Sequence, residues 1–193
     1  MACPYPEITL VRHGETEWSA SGKHTGRTDI PLTAKGEDAA RKLGETLRDK
    51  GFAAVWSSPS TRARRTVELA GFGAVAETKP DLAEWDYGAY EGLKTTEILL
   101  ERPGWSLFRD GCPEGESVAE VGARADGMVA ALRAAAGDVL VFSSAHFLRT
   151  LAARWLGLPA ADGALFVLDT TSLSVLGYEH DMTEPVLRRW NHI

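Results

Sequence analysis

The segment DVLVFSS (138–144) constrains the fold most strongly, because its four consecutive apolar residues leave no polar face. A strand of this kind has to be covered on both sides, which is typical of the inner strands of a parallel sheet. The segments at about 7–12 and 53–58 have a similar β-forming character, and stretches with helical spacing of apolar residues lie between the strands. This alternation predicts an α/β fold, a three-layer sandwich in which helices flank a mostly parallel central sheet.

The same patterns give approximate bounds for the elements. Ser117 and Glu120 form a capping box that begins a helix with its apolar face running to Leu132. Residues 71–116 are richer in Gly, Pro and Trp and interrupt the alternation. Strands are predicted at about 7–12, 53–58, 138–144, 171–178 and 185–191, and the other helices at about 34–50, 60–70, 94–101 and 146–157.

Composition excludes several classes of function. The chain of 193 residues has a length typical of one domain, and its net charge of −6 gives no general reason to bind nucleic acid or an anionic membrane. It has no signal-peptide pattern and no apolar run of about 20 residues, so we expect a cytoplasmic protein. Cys3 and Cys112 lack metal-ligand spacing, and we expect both to be reduced thiols.

The segment LVRHGETEW (10–18) places Arg12 and His13 at the end of the first strand, where their charges would repel each other. Ligands of α/β folds bind at the carboxyl ends of the strands. Residues 57–62 and 143–146, which also carry polar side chains, follow two other predicted strands. We therefore expect these strand ends to converge on one crevice that receives an anion.

The chemistry of the side chains indicates which anion this is. Arg12 and Arg62 carry planar guanidinium groups that match phosphate oxygens. Nearby cations lower the pKa of a histidine, so His13 is expected to be neutral and able to act as a nucleophile. His146 would share the crevice, and Glu84 could supply the proton that a departing alkoxide needs.

Each residue also has a structural alternative. The Arg-His pair could cap a turn, Arg62 could lie on a solvated basic helix face, His146 could be a polar residue at a helix start, and Glu84 could be an ordinary loop carboxylate. Together they are more specific, because the fold argument places three of them at strand ends independently.

The run RHGET (12–16) resembles the signature of the histidine phosphatase superfamily, which includes the cofactor-dependent phosphoglycerate mutases. The resemblance covers essentially the whole chain and implies one phosphoglycerate mutase-like domain over 1–193, with the excursion at about 71–116 covering the active site. The further segments that resemble family blocks, in family order, are SGKHTGRTDIPLTAKG (21–36), SSPSTRARRT (57–66), LAEWDYGAYEG (82–92), GES (115–117), SSAHFLRTL (143–151) and TTSLSVLGY (170–178).

The resemblance implies a role for each reacting group. His13 would become a phosphohistidine, while Arg12, Arg62 and His146 would clamp the phosphoryl group in transfer. Glu84 would be the general acid and later the base for water. Members of this type need no metal or other cofactor, and the sequence shows no cluster of metal ligands.

The resemblance also implies an outer substrate pocket. Arg109 would hold a second phosphate there, although a surface salt bridge with Asp110 is the alternative. Phe147, where many members have a glycine, is expected to narrow the site beside His146, and Ser19 replaces an asparagine of many members. The implied substrate-binding residues are Ser19, His24, Thr25, Gly26, Tyr87 and Arg109.

These observations predict a metal-independent phosphomonoesterase that acts on a small phosphate ester. The short stretch between Glu84 and the next long helix leaves the site open to water, which favours hydrolysis over transfer. The segments EWSASGKHTGRTDIPLT and WSLFRDGCPEGES resemble the sugar-bisphosphatase branch, so a sugar phosphate or bisphosphate is the expected substrate. Phosphoglycerate mutase-type transfer and a non-catalytic phospho-ligand-binding module are the alternatives, and the oligomeric state is open.

Overall fold

The structure is a computed structural model that describes residues 5–193, so the prediction for Cys3 lies outside the described residues. Short 3₁₀ segments occur at Pro80–Leu82, Gly88–Tyr90 and Ala160–Leu165. The strands are β1 (Ile8–Arg12), β2 (Ala54–Ser57), β3 (Ala76–Thr78), β4 (Val139–Ser143), β5 (Leu173–Tyr178) and β6 (Pro185–His192). The helices are α1 (Glu17–Ser21), α2 (Ala34–Leu47), α3 (Thr61–Leu69), α4 (Thr95–Glu101), α5 (Leu107–Asp110), α6 (Val118–Arg133) and α7 (Ala145–Trp155).

The strands form a six-stranded sheet in the order β3-β2-β4-β1-β5-β6. The first four of these strands run parallel to one another, whereas β5 and β6 pair in the antiparallel direction. The predicted α/β fold with a mostly parallel sheet is therefore confirmed. The observed bounds differ from the predicted ones by no more than three residues, but β3, α1 and α5 were not predicted because they are too short to show a period.

Both faces of the sheet are covered, as the apolar segment 138–144 predicts. Val139 and Val141 of β4 face a large cluster that includes residues of α6 and α7. Leu140 and Phe142 face a second cluster with residues of α2 and α3. Because alternate residues of a strand point to opposite faces, the continuous apolar run supplies both cores at once.

The helix starts are fixed by side-chain caps. The capping box of α6 is present: the Ser117 hydroxyl accepts from the N–H of Glu120, and the Glu120 carboxylate accepts from the N–H of Ser117. Thr33 caps α2 through the N–H of Gly36. Within residues 5–193, no helix combines the length and the apolar composition that crossing a bilayer requires.

The start of α2 packs closely against the loop that follows β1. A Cβ atom placed on Gly36 would lie 2.3 Å from the backbone oxygen of Glu15, which is far inside van der Waals contact. Glycine at this position therefore allows α2 to approach the segment that carries His13.

We expect Gly36→Ala to lower the free energy of unfolding by about 1–3 kcal/mol, because the added methyl group overpacks a backbone contact. Gly127 of α6 is the matched control, since a Cβ there would meet nothing within 4 Å. Gly127→Ala should leave stability unchanged or raise it by up to about 1 kcal/mol through helix propensity. Urea denaturation measures the free energy of unfolding of both variants. Equal changes in the two variants would contradict the close packing of Gly36 against Glu15.

Candidate active site

A cavity of about 510 Å³ lies at the carboxyl ends of β1 and β4. Residues that follow both strands reach it, as the strand-end argument predicts. Its polar and aromatic lining residues are Arg12, His13, Ser19, Lys23, His24, Thr25, Glu84, Tyr87, Thr95, Trp105, Ser106, His146, Arg149 and Asp169.

His13 is held as a neutral imidazole whose lone pair lies on Nε2. Its Nδ1 lies 2.8 Å from the backbone oxygen of Gly14, and a carbonyl oxygen only accepts, so Nδ1 carries the hydrogen. Burial, followed by the charges of Arg62 and Arg12, holds the pKa of His13 well below its ordinary value. The lone pair therefore lies on Nε2, which accepts a hydrogen bond from Nε of Arg62 at 3.3 Å.

Arg62 is fully buried on α3, and backbone carbonyls hold its guanidinium group. Nη1 donates to the oxygen of Thr28, and Nη2 donates to the oxygens of Thr25 and Gly26 at 2.8 and 3.0 Å. A Cβ on Gly26 would lie 2.6 Å from the oxygen of Trp85, so the loop needs glycine there. Thr25 and Gly26 thus orient Arg62, and Gly26 is not among the residues that line this cavity.

Arg12 presents a donor that the protein does not satisfy. Its Nη1 donates to the backbone oxygen of Leu168 at 2.6 Å. Its Nε is the buried side-chain polar atom without a hydrogen-bond partner within residues 5–193. Leaving a buried charged donor unpaired is costly, and because Arg12 lines the cavity, an anion bound there would compensate its charge.

Glu84 joins the excursion to the N-terminus of α7. Its Oε1 accepts from the N–H groups of Trp85 and Phe147 at 2.9 and 2.8 Å, and its Oε2 accepts from the N–H of His146 at 3.1 Å. A carboxylate at this position also complements the positive end of the helix dipole. Oε2 has one donor where Oε1 has two, so Oε2 is the oxygen with room for a proton.

His146 and Tyr87 form a buried pair on the cavity wall. The Tyr87 hydroxyl lies 2.6 Å from Nδ1 of His146. Burial and the charge of Glu84 raise the pKa of Tyr87 well above its ordinary value, and burial followed by Arg149 and His24 lowers that of His146. The phenol has no other acceptor within residues 5–193, so it donates to Nδ1 and leaves the hydrogen of His146 on Nε2.

His24 packs against this pair. Its ring is stacked on that of His146 with centroids 6.0 Å apart, and its Nδ1 lies 2.8 Å from the backbone oxygen of Leu93. Nδ1 therefore donates to this carbonyl oxygen. Ser19 also lines the cavity, but its hydroxyl donates to the oxygen of Thr16 as part of the cap of α1.

The expected positions of Arg109 and Phe147 differ from the structure. Arg109 does not line the cavity: its exposed guanidinium group pairs with Asp110 at 2.8 Å, so the salt-bridge alternative describes it. Phe147 does not narrow the site, because its side chain is fully buried in the core beneath the guanidinium group of Arg124.

Two cations of the cavity, Lys23 and Arg149, were not predicted from the sequence, and Arg149 is the one held in place by the protein. Its Nε donates to the backbone oxygen of Gly163 at 3.0 Å, and its guanidinium group lies 4.6 Å from the ring centroid of Phe108. The available signal was helical spacing, since residue 149 follows His146 by three and faces the same side of a helix.

Fold and site together define an α/β protein with a buried, neutral histidine at the carboxyl edge of the sheet, beside Arg12 of the cavity wall and the buried Arg62. The family model "Histidine phosphatase superfamily (branch 1)" matches residues 8–193. The chain belongs to the histidine phosphatase superfamily and is an enzyme of that superfamily.

Relatives and a solved structure agree with this assignment. An acid phosphatase of Mycobacterium tuberculosis is 42% identical over 181 residues, covering 92% of this chain and 89% of that protein. Sedoheptulose 1,7-bisphosphatase of Saccharomyces cerevisiae is 32% identical, with coverage of 94% and 91%. The solved structure of the open reading frame Rv3214 from Mycobacterium tuberculosis is 42% identical and superposes with a TM-score of 0.91 over 97% of both chains.

We expect His13 to stay neutral at pH values where an ordinary histidine is largely protonated. Its lowered pKa moves protonation well below the usual value of about 6.5, so its ring signals should not shift between about pH 7 and pH 6. His180, exposed and paired with Glu184, is the internal control because its pKa is raised. Nitrogen-15 NMR, assigned with His13→Gln, measures both titrations; a His13 that titrates at or above His180 would contradict the site electrostatics.

Proposed function

We propose that this protein is a metal-independent phosphomonoesterase that acts through a phosphohistidine on a small phosphorylated metabolite such as a sugar phosphate. The arrangement that carries the proposal is the neutral imidazole of His13, whose Nε2 accepts a hydrogen bond from Nε of Arg62, beside the unpaired Nε–H of Arg12. These groups provide a nucleophile and a receptor for phosphate oxygens at one place.

The proposed reaction has two displacement steps. Nε2 of His13 attacks phosphorus and the bond from phosphorus to the ester oxygen breaks, while Arg12 and Arg62 neutralise the phosphoryl oxygens. Glu84, in its acid form, gives the proton on Oε2 to the departing alkoxide. Water then attacks the phosphohistidine, Glu84 takes its proton, and inorganic phosphate and neutral His13 are released.

Hydrolysis fits the surroundings better than transfer to a second bound acid. Residues 85–117, which separate Glu84 from α6, form only short helical segments and leave the cavity open to water. The acid phosphatase and the sedoheptulose bisphosphatase among the relatives support the same choice.

The part of the cavity lined by Lys23, His24 and Arg149, called here its outer half, fits a polar, phosphorylated substrate. Lys23 and Arg149 contribute positive charge, and the ring of His24 lines the same cavity, with its Nδ1 already bonded to the backbone. A cytoplasmic location belongs to the proposal and agrees with Cys112, which is an unpaired, buried thiol.

Quenching the enzyme during turnover of p-nitrophenyl phosphate should trap a phosphoenzyme that is labile to acid and stable to alkali, as a phosphoramidate is. His13→Asn should abolish both the phosphoenzyme and turnover, whereas His180→Asn, an exposed control, should abolish neither. EDTA should leave the wild-type rate unchanged. An acid-stable phosphoenzyme, loss of activity with EDTA, or phosphate binding without turnover would each refute the proposal.

We expect Glu84→Gln to slow the first step with a sugar phosphate by about 10²- to 10⁴-fold, because a sugar alkoxide needs the proton. The effect on p-nitrophenyl phosphate should be smaller, since p-nitrophenolate departs without one. Single-turnover burst rates measure this step separately from hydrolysis of the phosphoenzyme.

The structure defines the control for this variant. An amide nitrogen does not accept hydrogen bonds, so Gln at position 84 loses at least one of the three N–H contacts and should cost about 1–3 kcal/mol in stability. Burst rates are therefore compared well below the unfolding midpoint of the variant. Equal slowing of both substrates, or no slowing, would assign the acid elsewhere.

A further inference from the structure

Arg124 of α6 is a largely buried arginine whose charge is balanced inside the protein. Its side chain is 15% exposed, and it is not among the residues that line the active-site cavity. Nε and Nη2 donate to the two carboxylate oxygens of Glu116 at 2.9 and 2.8 Å. A guanidinium group paired in this way is not available to hold a substrate anion, so its role has to be sought in the contacts that it makes within the protein.

The remaining contacts of Arg124 hold the backbone that carries Glu84. Nη1 donates to the oxygens of Asp81 and Ala83 at 2.8 and 2.7 Å, and Nη2 also donates to the oxygen of Glu84 at 3.3 Å. With the two bonds to Glu116, these contacts match the five N–H groups of a guanidinium group. Because that group is planar and rigid, it fixes the positions of the carbonyl groups around it.

Glu116 holds the same segment from its other end. Its Oε2 accepts from the N–H of Asp86 at 2.8 Å, and its backbone N–H donates to the oxygen of Asp86 at 2.9 Å. Its backbone oxygen accepts from Nε1 of Trp85 at 2.8 Å. Arg124 and Glu116 together therefore fix residues on both sides of Glu84.

Arg124 also contacts a residue that orients the Glu84 carboxyl group. Its guanidinium group lies 4.5 Å from the ring centroid of Phe147, in the first turn of α7. The N–H of Phe147 donates to Oε1 of Glu84 at 2.8 Å. One guanidinium group thus contacts both the backbone of Glu84 and a donor to its carboxyl group.

We propose that Arg124 is a positioning residue for Glu84, which keeps residues 81–84 and Phe147 in the arrangement that presents the Glu84 carboxyl group to the cavity. This inference rests on the proposed function, in which Glu84 gives a proton to the departing ester oxygen. A misplacement of about 1 Å at a reacting group costs up to about a hundredfold in rate. Arg124 transfers no proton in this role, so the balance of the two displacement steps is unchanged.

Arg124→Met tests this role, because it keeps an unbranched side chain and removes every donor. The single-turnover burst rate with a sugar phosphate should fall by about 10- to 100-fold, and that with p-nitrophenyl phosphate by less than about threefold, since p-nitrophenolate departs without a proton. Arg133→Met is the matched control. Arg133 lies on the same helix, 5.2 Å from the ring centroid of Trp155 of α7, and donates to the backbone oxygen of that residue. Its loss should lower stability without changing the ratio of the two burst rates.

Two further variants keep the test decisive. Arg124→Lys retains a positive charge beside Glu116 and serves if Arg124→Met does not fold. One ammonium group does not reproduce the planar fork of a guanidinium group, so the burst rate with the sugar phosphate should again fall more than that with p-nitrophenyl phosphate. In a Glu84→Gln background, Arg124→Met should change the sugar phosphate rate by less than about twofold, because the two residues act through one group.

Amide hydrogen exchange gives a readout that does not require turnover. Relative to the amides of β4, the N–H of Phe147 should lose at least about tenfold of its protection in Arg124→Met and none in Arg133→Met. Glu84 no longer has a fixed position to accept from this N–H once Arg124 is removed.

The outcomes separate this inference from the proposed function. Burst-rate ratios that change equally in Arg124→Met and Arg133→Met, or additive effects of Arg124→Met and Glu84→Gln, overturn the inference even if the wild-type enzyme forms the phosphohistidine. Loss of Phe147 protection in Arg124→Met alone, in a protein whose wild type turns over no ester, supports the positioning of Glu84 and refutes the proposed function.

Discussion

The organisation of the site depends on a buried cation, Arg62, which no carboxylate within residues 5–193 neutralises. Three backbone carbonyl oxygens solvate its guanidinium group, and the loop that supplies them requires glycine at position 26. A charge buried in this way is costly unless other groups compensate it. The carbonyls satisfy its hydrogen bonds while leaving its net charge for an anion, and this charge adds to the burial that lowers the pKa of His13.

Glu84 gives the second constraint, since one carboxyl group holds two separate parts of the chain together. It accepts from the loop at Trp85 and from the first turn of α7, so the proposed proton donor is also the link between the excursion and the helix that carries His146. Orientation of a reacting group by backbone N–H donors needs no flexible partner side chain.

Strand ends were predictable from the sequence, and orientations within helices and loops were not. The apolar runs located β1, β2 and β4, and the carboxyl-end rule placed His13 and His146 at one cavity. The residue pattern alone does not show how α7 is rotated about its axis. It therefore predicts Phe147 at the cavity, whereas the side chain of Phe147 is buried in the core. The prediction for Arg109 was wrong for a local reason. Its guanidinium group forms an ion pair with Asp110, the next residue of the same four-residue helix.

The proposed reacting groups and the outer wall come from different kinds of segment. His13 and Arg62 are fixed by the sheet and by backbone carbonyls, whereas Trp105 and Ser106 lie in the excursion and Arg149 is held by the loop at 163–164. Substitutions in the outer segments alter shape and charge around the alcohol portion of a substrate and leave the nucleophile in place. Related chains are therefore expected to differ in the esters that they accept well before they differ in the bond that they break. Overall sequence identity is then a weaker guide to the substrate than the few side chains of the outer wall.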